Sequence, residues 1–188
     1  INILLNEKKI YTNYIKYISN VLCKICKLGE LLSKTSLDTQ NNLIILTIKT
    51  SSLLNDEENE NLYYNDSSEE NGVIIKCFNS IMLQIIECGD INNNINLLMN
   101  YEKKYRKTSE DIVSYVAKCL IVIIKNMKYT YPKIDIGIIV ENIYNLLDEM
   151  EINDNIVVNN KTDQIIIITI KNILSQIIIY RGEKEINR

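Results

Sequence analysis

The chain has no histidine and no tryptophan in 188 residues, and it holds only one proline, one phenylalanine and five glycines. Without histidine, the commonest general base and metal ligand is missing. Five scattered glycines leave no glycine-rich phosphate loop, and neither a GxSxG motif nor a second CxxC occurs. No apolar run reaches the roughly 20 clean residues that a membrane-crossing helix needs. The most apolar windows, 112–124 and 165–179, are interrupted by Lys118 and by Lys171, Asn172 and Gln176. These gaps argue against an enzyme, a metal protein, a cofactor binder or a membrane protein. What remains is a chain with 46% hydrophobic and 24% charged residues, ordinary for a globular domain with a real core. It begins at Ile1 rather than Met, as expected of a piece of a longer protein.

Asparagine, isoleucine, lysine and tyrosine are used heavily, and all have A/T-rich codons. Mutational bias in the coding DNA accounts for the asparagine runs, and isoleucine can stand where leucine would otherwise sit, which blurs the usual strand signal. The net charge of -3 is uneven. Residues 55–70 hold seven acids and no base, which leaves the remainder with 21 basic and 17 acidic residues. That mild excess is too small to mark a nucleic-acid surface. The five cysteines, Cys23, Cys26, Cys77, Cys88 and Cys119, fall inside apolar runs, as reduced buried thiols do. "CKIC" at 23–26 has the spacing of half a zinc site or of a redox pair. No partner motif completes the zinc site, and the surrounding pattern is helical rather than strand–helix.

Apolar residues recur at steps of three and four over 10–28, 41–54, 73–88, 91–102, 109–127, 134–150 and 162–180, which predicts seven helices. The first stripe is Ile10, Tyr14, Tyr17, Ile18, Val21, Leu22, Ile25 and Leu28, with Gly29 as its stop. Asp90 is placed to cap the helix over 91–102, and Thr108 and Ser109 to cap the next. That next helix carries two stripes. One runs through Ile112, Tyr115, Val116, Cys119, Leu120, Ile123 and Met127, the other through Val113, Ala117, Ile121 and Ile124. Two stripes require two packing partners. Pro132 precedes the sixth helix, and Gly182 is the expected stop of the last. "QIIIITI" at 164–170 also has the β-branched content of a buried strand, but its surroundings favour a helix. The acidic stretch 55–71 reads as an exposed, mobile loop, and "NDNIVVNN" as another loop.

The expected fold is therefore all-α, a single domain over 1–188 built as an α-solenoid of antiparallel helix pairs, HEAT- or armadillo-like. The pairs 73–88/91–102 and 109–127/134–150 recur at about 36 residues, within the range of helical repeats. No catalytic, cofactor or metal residues are assigned. Glu57, Glu58, Glu60, Glu69 and Glu70 fall in the expected loop, which lacks the rigidity a site requires. One candidate binding feature stands out. Lys103, Lys104, Arg106 and Lys107, with Lys125 and Lys128, would form a basic edge for an acidic partner if the helix ends cluster. The plainer reading of the same residues is a solvated connector.

The order of these helices resembles a known family. "VIIKCFNSIMLQIIECGDINNNINLLMN", with Ile74, Phe78, Asn79, Ile81, Ile85 and Ile86, then Asn94, Ile95, Leu97 and Leu98, is similar to the first helix pair in the C-terminal domain of the TOG-array microtubule polymerases. "SEDIVSYVAKCLIVIIKNM" resembles the family's next helix through Val116, Lys118, Cys119 and Leu120. "KIDIGIIVENIYNLLDEM" and "TIKNILSQIIIYRGEKE" resemble later helices, and "NNLIILTIKTSSLLNDEE" the helix leading into an acidic linker. The resemblance spans roughly residues 41–185, in order, and residues 1–40 match only as a generic helix.

The resemblance implies a non-enzymatic TOG-type interaction domain of a microtubule-associated protein. It would act in the cytoplasm, at spindle poles or microtubule plus ends of the cytoskeleton, through acidic coiled-coil adaptors or plus-end proteins. Two departures matter. TOG domains that grip tubulin present an aromatic, usually tryptophan, on an inter-helix loop, and this chain has none. The chain also stops near Arg188, where the family domain continues into the segment associated with the adaptors. Direct tubulin gripping is therefore not implied. The alternative is a generic HEAT- or armadillo-like scaffold unrelated to microtubules.

Overall fold

The computed structural model describes residues 2–60, 65–150 and 160–186. Every regular element among them is helical: α1 (Asn2–Cys26), α2 (Gly29–Ser33), α3 (Leu37–Glu60), α4 (Asn65–Cys88), α5 (Ile91–Tyr105), α6 (Glu110–Lys125), α7 (Met127–Thr130), α8 (Ile136–Glu149) and α9 (Lys161–Ile186), with a 3-10 turn at Tyr131–Lys133. The chain is all-α. The isoleucine run at 164–170 is helical, which removes the strand alternative. The chain divides into two compact units, Ile1–Gly89 and Asp90–Arg188.

Helix extends into two expected breaks. The acidic stretch read as a loop is helical on both sides: 55–60 complete α3 and 65–71 open α4, while 61–64 lie outside the described residues. Asparagine and glycine weaken a helix by only about 1 kcal/mol or less per residue, and leucine and glutamate favour it, so polarity alone does not end either helix. For the same reason α9 runs past Gly182 to Ile186. Residues 151–159, most of the second expected loop, lie outside the described residues.

In the first unit α4 is central, with α1 and α3 packed along it and α2 at one end. Ile74, Phe78, Ile81, Met82, Ile85 and Ile86 of α4 are buried, as are Ile44 and Ile48 of α3 and Leu32 of α2, two of the helices packed on it. Two buried hydroxyls are satisfied locally: Thr47 donates to the Leu43 carbonyl at 2.7 Å and Ser19 to that of Ile15 at 2.5 Å. Gln40 Nε2 donates to the carbonyls of Leu32 (3.2 Å) and Thr35 (3.3 Å), tying the start of α3 to the turn after α2.

The orientation of α1 differs from the sequence reading. Among its described side chains, Ser19, Cys23 and Cys26 are buried, whereas Tyr14, Tyr17, Ile18, Val21, Ile25 and Leu28 of the apolar stripe are exposed and Leu22 is half-buried. The side chain of Ile10 lies outside the described residues. Serine and cysteine are small, so this face permits a close approach to α4, where the Cys77 thiol donates to Asn20 Oδ1 at 3.3 Å. Gly29 belongs to the same close contact: a Cβ there would lie 2.9 Å from Cys88 Sγ. Gly29→Ala should therefore destabilise the unit by about 1–3 kcal/mol, the usual range for overpacking. Adding Cys88→Ala should recover most of that loss in a denaturant-based double-mutant cycle. Additive losses would place the strain elsewhere.

In the second unit α5 and α6 form an antiparallel pair joined through 106–109, α8 packs on α5, and α9 packs on α6. Helix α6 thus lies between two neighbours, as its two stripes require. Ile112, Val116, Cys119, Leu120 and Ile123 of the first stripe and Val113, Ala117 and Ile124 of the second are buried, while Tyr115 and Ile121 are half-buried. Met127 is buried in α7. Four starts are capped by side chains: Asp90 accepts from Asn93 N at 2.7 Å, Ser109 from Ile112 N at 3.3 Å, Asp135 from Gly137 N at 2.9 Å, and Asn160 from Thr162 N at 3.0 Å. The pairing register differs from the one expected. Segments 73–88 and 91–102 fall in different units, and α8 packs chiefly on α5 rather than on α6. Counted between first residues, α5 to α8 is about 45 residues and α6 to α9 about 51, nearer the 40–47 of HEAT-type repeats than the shorter periods.

Candidate functional site

The basic residues singled out in the sequence do not form one edge. Lys103, Arg106 and Lys107 lie where α5 ends and α6 begins, and Lys125 closes α6. Sixteen helical residues separate the two ends of α6, a span of about 24 Å at 1.5 Å per residue. Lys128 lies in α7, beyond that far end, and its side chain lies outside the described residues. The six cations expected to cluster are thus split between opposite ends of the α5–α6 pair.

At the near end most of the charge is spent internally. Arg106 donates through Nε to Asp163 Oδ1 at 2.5 Å and through Nη2 to Oδ2 at 2.9 Å, and its Nη1 donates to the Glu149 carbonyl at 3.1 Å. Its side chain and that of Asp163 are largely shielded from water. A bidentate pair of this kind is directional and ties the end of α5 to the end of α8 and the start of α9. Lys103 pairs with Glu149 at 2.8 Å, and Lys161 pairs with Glu110. Lys104 sits over the stacked rings of Tyr101 and Tyr105, 6.0 and 5.4 Å from their centroids. Of the basic residues singled out in the sequence, Lys104 and Lys107 are the exposed ones at this end. The solvated-connector reading fits Lys107, and Arg106 is a structural clamp.

The most unusual group in the unit is Glu102. It is fully buried in α5, and among the described residues no donor reaches either carboxylate oxygen. Burial pushes its carboxyl up to about 8, so it is held neutral near physiological pH. The sequence places Glu102 on the buried stripe of its helix, but periodicity does not distinguish a carboxyl that snorkels to water from one that is sealed in.

The cysteines are separated by depth. Cys23, Cys26 and Cys119 are buried, and Cys77 and Cys88 are half-buried. Burial pushes the Cys119 thiol up to about 12 against the lowering effect of Lys118. Burial, then the nearby Cys23, raises Cys26. The same two causes raise Cys77, partly offset by Lys27. Raised thiols are poor nucleophiles at neutral pH. Among the described residues no group of three or more histidine, cysteine or acidic side chains could hold a metal ion. Of the residues that carry the family resemblance most sharply, Cys119 and Leu120 are core, whereas Asn79 and Lys118 are exposed.

One sequence expectation about α9 changes. Among the described residues, 161–181 are long and apolar enough to cross a membrane by length and composition, despite Lys171, Asn172 and Gln176. Its buried side is Ile166, Ile170, Ile173 and Ile177, as in a core helix packed on α6, and Ile168, Ile178 and Ile179 face outward. Compared with protein-family models, with curated proteins and with solved structures, the chain matches none of them.

Proposed function

We propose that this chain is a non-enzymatic, protein-binding scaffold of stacked helices, acting as an interaction domain of a TOG-type microtubule-associated protein. The observation that carries the scaffold reading is the layering of the second unit, in which α8 lies on α5 and α9 on α6, with α6 buried on two sides. Successive helix pairs stacked in this way make the extended surfaces that repeat proteins offer to partners. The microtubule assignment rests on the ordered likeness over 41–185. In this reading the domain brings its parent protein to spindle poles or plus ends through acidic coiled-coil adaptors or plus-end proteins, without gripping tubulin itself. The second reading, a HEAT- or armadillo-like scaffold with no microtubule link, is favoured by one feature: the unit boundary at Gly89 divides the helix pair on which the likeness opens.

A fluorescent fusion of the whole chain in dividing cells separates the two. Enrichment at spindle poles or growing ends, lost when microtubules are depolymerised, is the expected result. Uniform cytoplasmic fluorescence that ignores microtubule loss would remove the TOG assignment and leave the generic scaffold.

A further inference from the structure

Tyr14, Ile18, Val21 and Ile25 follow one another along α1 at steps of four, three and four, Leu28 lies just past the helix end, and all five are between 39% and 64% exposed. Ile15 and Tyr17 widen the face, and Leu31 of α2 extends it past the helix end; all three are also exposed. Taking for each the 150–250 Å² or so of a large aromatic side chain, these fractions leave roughly 600–1,000 Å² of exposed surface along α1 and just past its end. The largest patch on a typical monomer is about 300–600 Å². Each partner in a stable dimer covers about 800 Å².

We propose that this face of α1 pairs with the same face of a second copy of the chain, antiparallel, about a two-fold axis near Val21. The spacing is the 3.5-residue repeat that lets two helices interdigitate as knobs into holes, with Ile18 and Ile25 at equivalent seam positions. An antiparallel register centred between Val21 and Leu22 sets Ile18 of one copy against Ile25 of the other. Charge agrees with self-pairing. Lys16 and Lys27 fall on the opposite side of the helical wheel, and Lys24, at the rim, meets the neighbourhood of Tyr17 rather than another lysine, a favourable cation–ring arrangement. A two-fold contact needs only this one patch, used twice. The inference is independent of the microtubule reading.

Sedimentation velocity of the intact chain at tens of micromolar tests it, with Ile18→Glu, Ile25→Glu and the control Leu46→Glu, which alters an exposed leucine on α3. The wild type and Leu46→Glu should sediment as dimers. Ile18→Glu and Ile25→Glu should sediment as monomers, with self-association weakened at least about tenfold and helix content by circular dichroism unchanged. A monomeric wild type overturns the proposal. So does a dimer that survives Ile18→Glu, or one that Leu46→Glu breaks equally. Loss of helix content in Ile18→Glu also overturns it, because that would place residue 18 in the core. Co-sedimentation of a monomeric wild type with phosphatidylcholine–phosphatidylserine vesicles, lost in Ile18→Glu, would assign the face to a lipid surface instead.

Discussion

Ile123→Ala and Ile124→Ala should each lower the unfolding free energy of the second unit by about 2–5 kcal/mol, the cost of truncating a buried isoleucine and leaving a cavity. Ile123 lies on one stripe of α6 and Ile124 on the other, and both are buried. Against a typical domain stability of about 5–15 kcal/mol, either loss is large. Ile121, half-buried on the second stripe, should lose clearly less, because its site is already open to water on one side. Urea midpoints of the three variants check the ranking. A helix packed on one side only would lose stability through Ile123 and almost none through Ile124. A small effect of Ile124→Ala would therefore mean that only one stripe of α6 has a packing partner.

Glu102→Gln should stabilise the protein at neutral and alkaline pH and change little at acid pH. The Glu102 carboxyl is pushed up to about 8 by burial, whereas in the unfolded chain it titrates near about 4.3. Folding therefore takes up a proton between those values. The stabilisation is fully present below the unfolded pKa, falls as pH rises through the window at no more than about 1.4 kcal/mol per unit, and is gone once pH passes the folded value. Glutamine is neutral throughout, so the stability of Glu102→Gln should lack this decline. Wild type and variant should nearly coincide at the acid end and separate by up to about 5 kcal/mol at the alkaline end. Chemical-denaturation curves across this pH range report it. Parallel curves would mean that the carboxylate reaches water or a donor.

Helices whose apolar period is strong were legible in the sequence. Residues 109–127 show both why and how far. The two stripes predict two neighbours, and Ser109 caps the start as the local chemistry suggests. Helix ends were less legible. Residues 55–60 and 65–71 are polar without being helix-breaking, so composition pointed to a loop where the backbone stays helical. The facing of α1 was the largest difference. Periodicity finds the stripe from Tyr14 to Leu28, but it does not reveal that α4 meets the smaller Ser19, Cys23 and Cys26. Shape at a close crossing outweighs apolar area there, and only the partner helix discloses it. The placement of the basic residues was not legible for a related reason. The acids that meet Lys103 and Arg106 lie far along the chain, at Glu149 and Asp163. The 24 Å or so between the two ends of α6 is likewise a property of the folded helix rather than of sequence distance.

The central claim is that α6 is the interior helix of a stack, and native-state hydrogen exchange read by mass spectrometry tests it most directly. Interior helices exchange only through global opening, whereas outer ones exchange through local opening as well. Amides of peptides within 112–124 should be the slowest in the second unit and should follow the global unfolding free energy as denaturant is added. Those of α8, which packs on α5 with Val140 and Tyr144 exposed, should exchange sooner. If 112–124 exchanged as fast as α8 in the absence of denaturant, α6 would be a peripheral helix and the stacked scaffold built on it would be wrong.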